Sequence, residues 1–289
     1  MSIETWNTGT FACGYRNRST VQAPWSRPQV SSSAAWWLAS RLTTSRASAS
    51  TGLLGDNYKR TLAFLTALLT LSFPIASWAV FGAGADREDT AAVLSCIFAF
   101  SMTGLVLAPH LPFAALRGES RYRRLERMVY IWIIVFVGVA LTWEIPWAIL
   151  HERIAVSRDQ LWAYTWWAYI DGGDLRYINP NWLVFFIETW ADTNGIFSAF
   201  ALYAWFKSGK TNTLPVYYFM FAAPLHIYPT VLYYVSEIAN GFPNVDHANP
   251  INLYVKFGLA NCFWVIVPFF VFAWGMQTIE RVHRARFEA

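Results

Sequence analysis

Residues 128–150 read MVYIWIIVFVGVALTWEIPWAIL and contain a single charged side chain, Glu144. The hydrocarbon core of a bilayer is about 30 Å thick, and a helix of about 20 apolar residues crosses it. An uninterrupted apolar run of this length therefore predicts a transmembrane helix.

Five more apolar runs of similar length occur along the chain. Together the six runs cover residues 61–82, 91–115, 128–150, 182–206, 214–235 and 255–277. Inside a bilayer every backbone polar group needs a partner within the protein, and a helix provides one for each. The sequence thus predicts an all-α, polytopic transmembrane helix bundle of about six spans.

The charges of the connecting segments alternate along the chain. Arg and Lys dominate before the first run, in the second and fourth links and after the sixth run, whereas the other links are acidic or mixed. Positively charged segments stay on the cytoplasmic side of a membrane. Six spans with both termini cytoplasmic satisfy this alternation, and five or seven spans do not.

The overall composition favours a membrane protein. Of the 289 residues 55% are hydrophobic and 14% are charged, whereas soluble domains carry about 25% charged residues. The formal net charge of +4 lies in short clusters beside the apolar runs. That position indicates membrane topology and argues against nucleic acid as a partner.

No pattern in the sequence indicates a metal or a cofactor. The cysteines, Cys13, Cys96 and Cys262, form no CxxC pair, and the five histidines are scattered. A phosphate-binding loop and a dinucleotide-binding glycine pattern are also missing. We therefore expect neither a metal site nor a bound cofactor.

The N-terminal residues 1–57 are rich in Ser, Thr, Ala and Arg, which predicts a polar, disordered tail. A short interfacial stretch at 34–42, a transit peptide and an overlong start assignment are all open alternatives for it. The remaining chain divides into two N-terminal helices with a basic loop (58–127), a four-helix membrane domain (128–280) and a basic tail (281–289).

The link 151–181 is long and aromatic and allows two interpretations. Trp162, Trp166 and Trp167 would anchor it in the membrane interface as an aromatic belt. Alternatively, the link forms a lid over a pocket inside the membrane.

Three carboxyl groups lie inside the predicted spans, where ionisable groups are costly and indicate function. Glu188 and Asp192 are four residues apart and share one helix face. Glu144, Glu188 and Asn261 each lie six residues inside the predicted outer end of a span, a depth of about 9 Å. This common depth predicts a shared site with Glu144, Glu188, Asp192 and Asn261 as its catalytic groups. As a structural alternative, such residues hydrogen-bond neighbouring helices.

Several aromatic residues lie near the same depth and are candidates for substrate binding. Tyr228 and Tyr233 are at or near that level, and His226 either lines a cavity or pairs with a backbone carbonyl. Tryptophans flank the carboxyl groups at four further positions, Trp143, Trp147, Trp190 and Trp264.

Three segments resemble, in order, motifs of the emopamil-binding (EXPERA-domain) family of sterol isomerases. GGDLRYINPNWLVFFIET (172–189) resembles the family's GDSRY, ILGDNF and MET elements, and IYPTVLYYVSEIANGF (227–242) resembles its IYGDVLYFLTE stretch with the following GF. NPINLYVKFGLANCFWVIVPF (249–269) resembles its HPLYFW and MNALWLVLPG elements. With the preceding glutamate-bearing helix, the resemblance covers about residues 128–277.

The resemblance implies a membrane bundle with a core of four related helices, here the domain 128–280. It implies a cofactor-independent enzyme like the 3β-hydroxysteroid Δ8-Δ7 isomerase, which moves a sterol ring double bond. Glu188, Asn261 and Trp264 fall on active-site positions of the family, and Glu144 corresponds to its second catalytic glutamate. The expected membrane is the endoplasmic reticulum in a eukaryote or the cytoplasmic membrane in a bacterium.

One departure from the family pattern concerns Ala140, which stands where the isomerases have a histidine four residues before the glutamate. Asp192 is a second departure, since the family is less polar there. Asp192 would tune the two glutamates or replace the missing histidine as a proton relay. The acid–base groups, and with them the substrate, are therefore expected to differ from those of the isomerases.

Three functions are compatible with these residues. The favoured one is a membrane isomerase that moves a C=C bond of a sterol, steroid or related polycyclic terpenoid through a carbocation. Carboxyl groups would transfer the protons, and indole faces would stabilise the cation. The alternatives are a terpenoid cyclase with the same acid chemistry and a non-catalytic sterol- or amphiphile-binding protein. A lipid bilayer surrounds the protein in each case, and a homodimer is left open.

Overall fold

The computed structural model describes residues 57–288. The predicted polar tail, with its interfacial stretch at 34–42 and Cys13, lies outside these residues except for Asn57. Within 57–288 the chain forms seven helices and no strand, as predicted for an all-α bundle. The helices are α1 (Tyr58–Ala83), α2 (Arg87–Leu107), α3 (Arg121–Ala155), α4 (Tyr164–Gly173), α5 (Trp182–Lys207), α6 (Leu214–Ile238) and α7 (Ile251–Phe287).

Four of these helices are long and apolar enough to cross a membrane: α1, α2, α3 and α7. By length and composition, therefore, four helices qualify as membrane spans and not the predicted six. α5 and α6 have 26 and 25 residues and are long enough. They are less apolar, because α5 carries Glu188, Asp192 and Asn194 while α6 is interrupted by prolines and tyrosines. That these two helices also span, and the domain division above, remain predictions.

Short polar side chains fix where the helices begin. Asp86 accepts a hydrogen bond from the backbone N–H of Asp89 at the start of α2, and Asn181 accepts one from Val184 at the start of α5. These contacts satisfy N–H groups that have no partner within the first turn of a helix. At the end of α1, Gly84 has φ of 70° and closes the helix in the left-handed conformation that glycine adopts without strain.

Two helices contain π-helical turns, and both turns adjoin the predicted site. In α3 the π-turn Ala140–Glu144 separates Arg121–Val139 from Ile145–Ala155. In α7 the π-helical segment Ile251–Leu259 precedes Ala260–Phe287. A π-turn rotates the side chains that follow it relative to those before it and is frequent at functional sites. Here one of them ends at Glu144.

The bundle has two main apolar clusters. One, around Trp132, Trp205 and Trp274, joins α3, α5, α6 and α7. The other lies around Trp147 at the end of the bundle that carries residues 156–181, which we call the connector. The connector includes α4 and packs into this second cluster.

Two of the three connector tryptophans that the aromatic-belt interpretation named, Trp166 and Trp167, are placed differently from it. Trp166 and Trp167 are buried, and their ring N–H groups donate to the backbone oxygens of Trp143 and Ile154 at 3.0 and 2.8 Å. These two residues are therefore packing residues and not interface anchors. The connector is held against α3 by backbone-directed hydrogen bonds that its sequence pattern did not reveal.

Candidate active site

A cavity of about 610 Å³ lies inside the bundle and is bordered by side chains from all seven helices. This volume is within the range of about 300–1,000 Å³ that is usual for small-molecule sites. Most of the bordering residues are apolar, including Leu69, Phe73, Phe98 and Val135. A cavity of this kind suits a largely apolar ligand, with the few polar residues on its wall deciding how the ligand binds.

Glu144 lies on the cavity wall at the end of the π-turn of α3. Its side chain is buried, and within residues 57–288 its carboxyl group has no hydrogen-bond partner and no salt bridge. The charges of Glu188 and Asp192 are close enough to act on it. A buried carboxyl group without a protein partner is costly, which is typical of a group that awaits a ligand.

Glu188 borders the same cavity from α5 and has one close partner. The hydroxyl of Tyr177, in the connector, donates a hydrogen bond to Oε1 of Glu188. Burial raises the pKa of the Tyr177 phenol well above its usual range, and the charge of Glu188 raises it further. Tyr177 therefore keeps its proton and acts on Glu188 as a hydrogen-bond donor.

Asp192 lies one turn from Glu188 on α5 but does not border the cavity. Its side chain is buried, and Oδ1 accepts no hydrogen bond from the described residues. Three residues further along, α5 approaches α3 closely, because a Cβ on Gly195 would collide with the Cβ of Ala140. Asp192 is therefore buried where α5 packs against α3, one turn from Glu188 and off the cavity wall.

Asn261, the fourth predicted catalytic residue, borders the cavity from α7. Its amide nitrogen donates to the backbone oxygen of Phe257 at 2.9 Å and to the hydroxyl of Tyr169 at 3.2 Å. The Tyr169 hydroxyl is in turn 2.7 Å from that of Tyr233. Asn261 thus begins a chain of polar groups that runs along the wall of the cavity into the connector.

Four of the seven predicted substrate-binding residues border the cavity: Trp143, His226, Tyr233 and Trp264. The other three, Trp147, Trp190 and Tyr228, do not border it. Tyr228 and Trp190 point outward and are 65% and 38% exposed. Tyr228 is two residues from His226, and Trp190 is two from Glu188. At 3.6 residues per turn, residues two apart lie on nearly opposite sides of a helix.

Trp147 is kept off the cavity wall for a different reason. It is fully buried, but its ring packs 4.9 Å from the ring of Tyr177, and its N–H donates to the backbone oxygen of Tyr177 at 3.1 Å. The connector therefore covers Trp147 and presents Tyr177 to the cavity in its place.

Three residues with ionisable side chains lie on the cavity wall and were missed by sequence reasoning. Tyr169 and Tyr177 come from the connector, and Lys256 comes from the start of α7. The rings of Trp143, Tyr169 and Tyr177 pack edge to face, with centroids 5.5 to 5.8 Å apart. The sequence did allow the link 151–181 to form a lid over a pocket, and that interpretation would have placed the two tyrosines near the cavity. Lys256 carried no signal, since it stood at the predicted end of a span.

A fully paired charge cluster holds the connector beside the cavity. Arg176 forms salt bridges with Asp174 at 2.6 Å and with Glu237 at 3.3 Å, and all three side chains are buried. Its guanidinium also lies 4.5 Å from the centroid of the Tyr233 ring. Because Arg176 is next to Tyr177, this cluster positions the donor of Glu188.

Metal ligands are not grouped in the described part of the chain: residues 57–288 contain no cluster of three or more His, Cys, Asp or Glu that could hold an ion. The independence from cofactors remains a prediction.

Comparison with known proteins gives one relevant similarity. No family model matches the chain. A stretch of 145 residues, half of the chain, is 26% identical to the 3-beta-hydroxysteroid-Delta(8),Delta(7)-isomerase of Cavia porcellus. The chain is distantly similar to a sterol isomerase.

That similarity covers 61% of the relative, so the chain spans about three fifths of that protein's length. It supports the resemblance seen in the three motifs without showing membership of the family. Together with the helices that can cross a membrane, it indicates a membrane protein.

Proposed function

We propose that this protein is a membrane-embedded isomerase that moves a C=C bond in a sterol, a steroid or a related polycyclic terpenoid. The observation that carries the proposal is the pair Glu144 and Glu188, two buried carboxyl groups that border one apolar cavity and form no salt bridge within residues 57–288. The distant similarity to a sterol isomerase agrees with it.

The two carboxyl groups have different surroundings, which suggests their roles. Glu144 has no donor nearby among the described residues and would be the acid: its O–H bond breaks, and the proton forms a C–H bond with one alkene carbon. Glu188 accepts a hydrogen bond from Tyr177, and a carboxylate is the form that such a donor favours. As a base, Glu188 would remove a proton next to the cation, and the electron pair of that C–H bond would form the new double bond.

The reaction is balanced, since one proton enters the substrate and one leaves. The proton then returns from Glu188 to Glu144 for the next turnover, and the charge of Asp192 acts on both partners. Trp143 and Trp264 border the cavity beside the carboxyl groups and would stabilise the cation by their ring faces. The apolar wall would keep water from capturing it.

Isotope incorporation tests this proposal directly. Purified protein in nanodiscs is incubated in deuterated water with a Δ8-sterol and a panel of steroids and terpenoids, and mass spectrometry measures the products. We expect deuterium in an isomer whose elemental composition is otherwise unchanged. The incorporation should be lost in Glu188→Gln and retained in Glu152→Gln, which makes the same substitution at an exposed position.

The same experiment distinguishes the two alternatives. A deuterated product with a new ring instead of a moved double bond would favour a terpenoid cyclase. Binding of the panel without any turnover would replace the enzyme proposal by a sterol- or amphiphile-binding protein. Loss of turnover in Glu152→Gln as well as in Glu188→Gln would contradict the assigned role of the cavity.

A further inference from the structure

His226 provides a second polar site on the cavity wall, away from the carboxyl groups. Its side chain is 5% exposed and borders the cavity from α6. The ring packs edge to face against Phe136 with a centroid distance of 4.6 Å, so its orientation is fixed.

Hydrogen bonds from α5 and α6 determine which nitrogen of the ring carries the proton. The amide nitrogen of Asn194 lies 2.9 Å from Nε2 of His226, and Oδ1 of the same amide accepts a hydrogen bond from the Tyr218 hydroxyl at 2.8 Å. An amide N–H can only donate. With the Asn194 amide in this orientation, Nε2 of His226 is the acceptor, and the neutral ring carries its proton on Nδ1.

Nδ1 of His226 is left without a partner. Within residues 57–288 no group hydrogen-bonds it, and it is not among the sealed-off polar atoms of the described chain. A donor in this position costs free energy unless a ligand supplies an acceptor. The cavity that the ring borders is where such a ligand would lie.

The position of His226 relative to the carboxyl groups restricts the length of the ligand and the position of its oxygen. Asn194 follows Glu188 by six residues on α5, a separation of about 9 Å along the helix. A ligand that contacts both places is therefore elongated and has an oxygen about two or three rings away from its reacting double bond.

We propose that Nδ1–H of His226, positioned by Asn194 and Tyr218, binds a hydroxyl or carbonyl oxygen of the substrate. This inference rests on the proposed function, because it assigns the substrate class of the same cavity: an oxygenated polycycle and not a pure hydrocarbon. Asn194 and Tyr218 are positioning residues, since they act through His226.

Equilibrium binding to two matched probes tests the inference without any need for turnover. The probes are cholest-8-en-3β-ol and cholest-8-ene, which differ only in the oxygen, and the protein is the full chain in nanodiscs. We expect the wild type to bind the oxygenated probe about tenfold more tightly, because one buried hydrogen bond usually changes an affinity by about this factor. His226→Phe should remove this preference, and His226→Gln, which keeps an N–H donor, should retain part of it.

Equal binding of the two probes by the wild type would overturn the inference, whether or not the variants fold. An unchanged preference in a folded His226→Phe would do the same. Glu144→Gln separates this inference from the proposed function, since it should abolish deuterium incorporation and leave the preference intact. A preference without any turnover would retain the oxygen site and refute the isomerase.

Discussion

Two groups of buried carboxylates in this molecule have opposite surroundings. Asp174 and Glu237 share Arg176, and all three are almost inaccessible to solvent. Glu144, Glu188 and Asp192 are also buried, yet none of them forms a salt bridge within residues 57–288. We call them the paired cluster and the unpaired cluster.

The difference indicates what each cluster is for. Buried charges that are paired and hydrogen-bonded can be accommodated in a folded protein, whereas unpaired ones are costly. The paired cluster fixes the connector against α6 and contributes structure. The unpaired cluster borders or adjoins the cavity and has no salt bridge that would stabilise the fold. We therefore propose that it serves the reaction.

The strongest test of this contrast is Glu144→Gln. We expect turnover to fall by about 10²- to 10⁴-fold, the usual loss when an acid–base group is removed. The melting temperature should stay the same or rise, because an unpaired buried carboxyl group is lost. The matched control is Glu237→Gln in the paired cluster, which should lower the melting temperature. The contrast fails if Glu144→Gln is the less stable of the two proteins.

Arg176→Met breaks the paired cluster. Removing one partner of a buried ion pair costs about 3–5 kcal/mol, so thermal unfolding in nanodiscs should shift to a clearly lower temperature. Arg158→Met is its control, since Arg158 pairs with Asp171 from a side chain that is 52% exposed. Similar melting temperatures for both variants would show that the paired cluster contributes no structural stability.

Tyr177 connects the two clusters, since it follows Arg176 and donates to Glu188. The test of this connection is Tyr177→Phe. The variant leaves a buried acceptor unsatisfied at a cost of about 1–3 kcal/mol. We expect turnover to decrease about tenfold, which corresponds to a rise of about 1.4 kcal/mol in activation free energy. A pH–rate profile should shift along with it, and an unchanged profile would mean that Tyr177 only packs.

Gly195→Ala alters the unpaired cluster through packing alone. The added methyl group meets the Cβ of Ala140, and overpacking costs about 1–3 kcal/mol. Gly138→Ala on α3 is the control, since nothing lies within 4 Å of its added carbon. Thermal unfolding should be lowered only in Gly195→Ala, and equal effects would refute the close approach of α3 and α5.

Tyr228→Phe should have the smallest effect. The residue is 65% exposed on the outer side of α6, and exposed substitutions usually change stability by less than about 0.5 kcal/mol. Turnover and ligand binding should equal those of the wild type. A loss of binding would return Tyr228 to the site and show that the cavity extends to that face of α6.

The sequence predicted where the long helices lie and which polar residues share a level. Both predictions follow from counting residues along the apolar runs. Apolar runs of sufficient length predicted each of the long helices, and the six-residue count placed Glu144, Glu188 and Asn261 at one level, where they border a common cavity. The same counting could have excluded Tyr228 and Trp190, which are two residues away from cavity-lining positions. The predicted six spans exceed the four helices that are apolar enough to cross a membrane, because polar residues reduce the hydropathy of α5 and α6.

The sequence by itself determined the all-helical class of the protein and predicted a common level for its polar groups, since hydrophobic length and helix rise are local properties. For most positions, only the tertiary structure decided whether the side chain turns inward. In a soluble helix the polar face marks the outside, but a helix in lipid is apolar on both sides, and only its few ionisable residues mark the inward face. Only the tertiary structure, too, placed Tyr177 against Glu188 and Asn194 against His226, because these contacts join residues that are far from one another along the chain or lie on different helices.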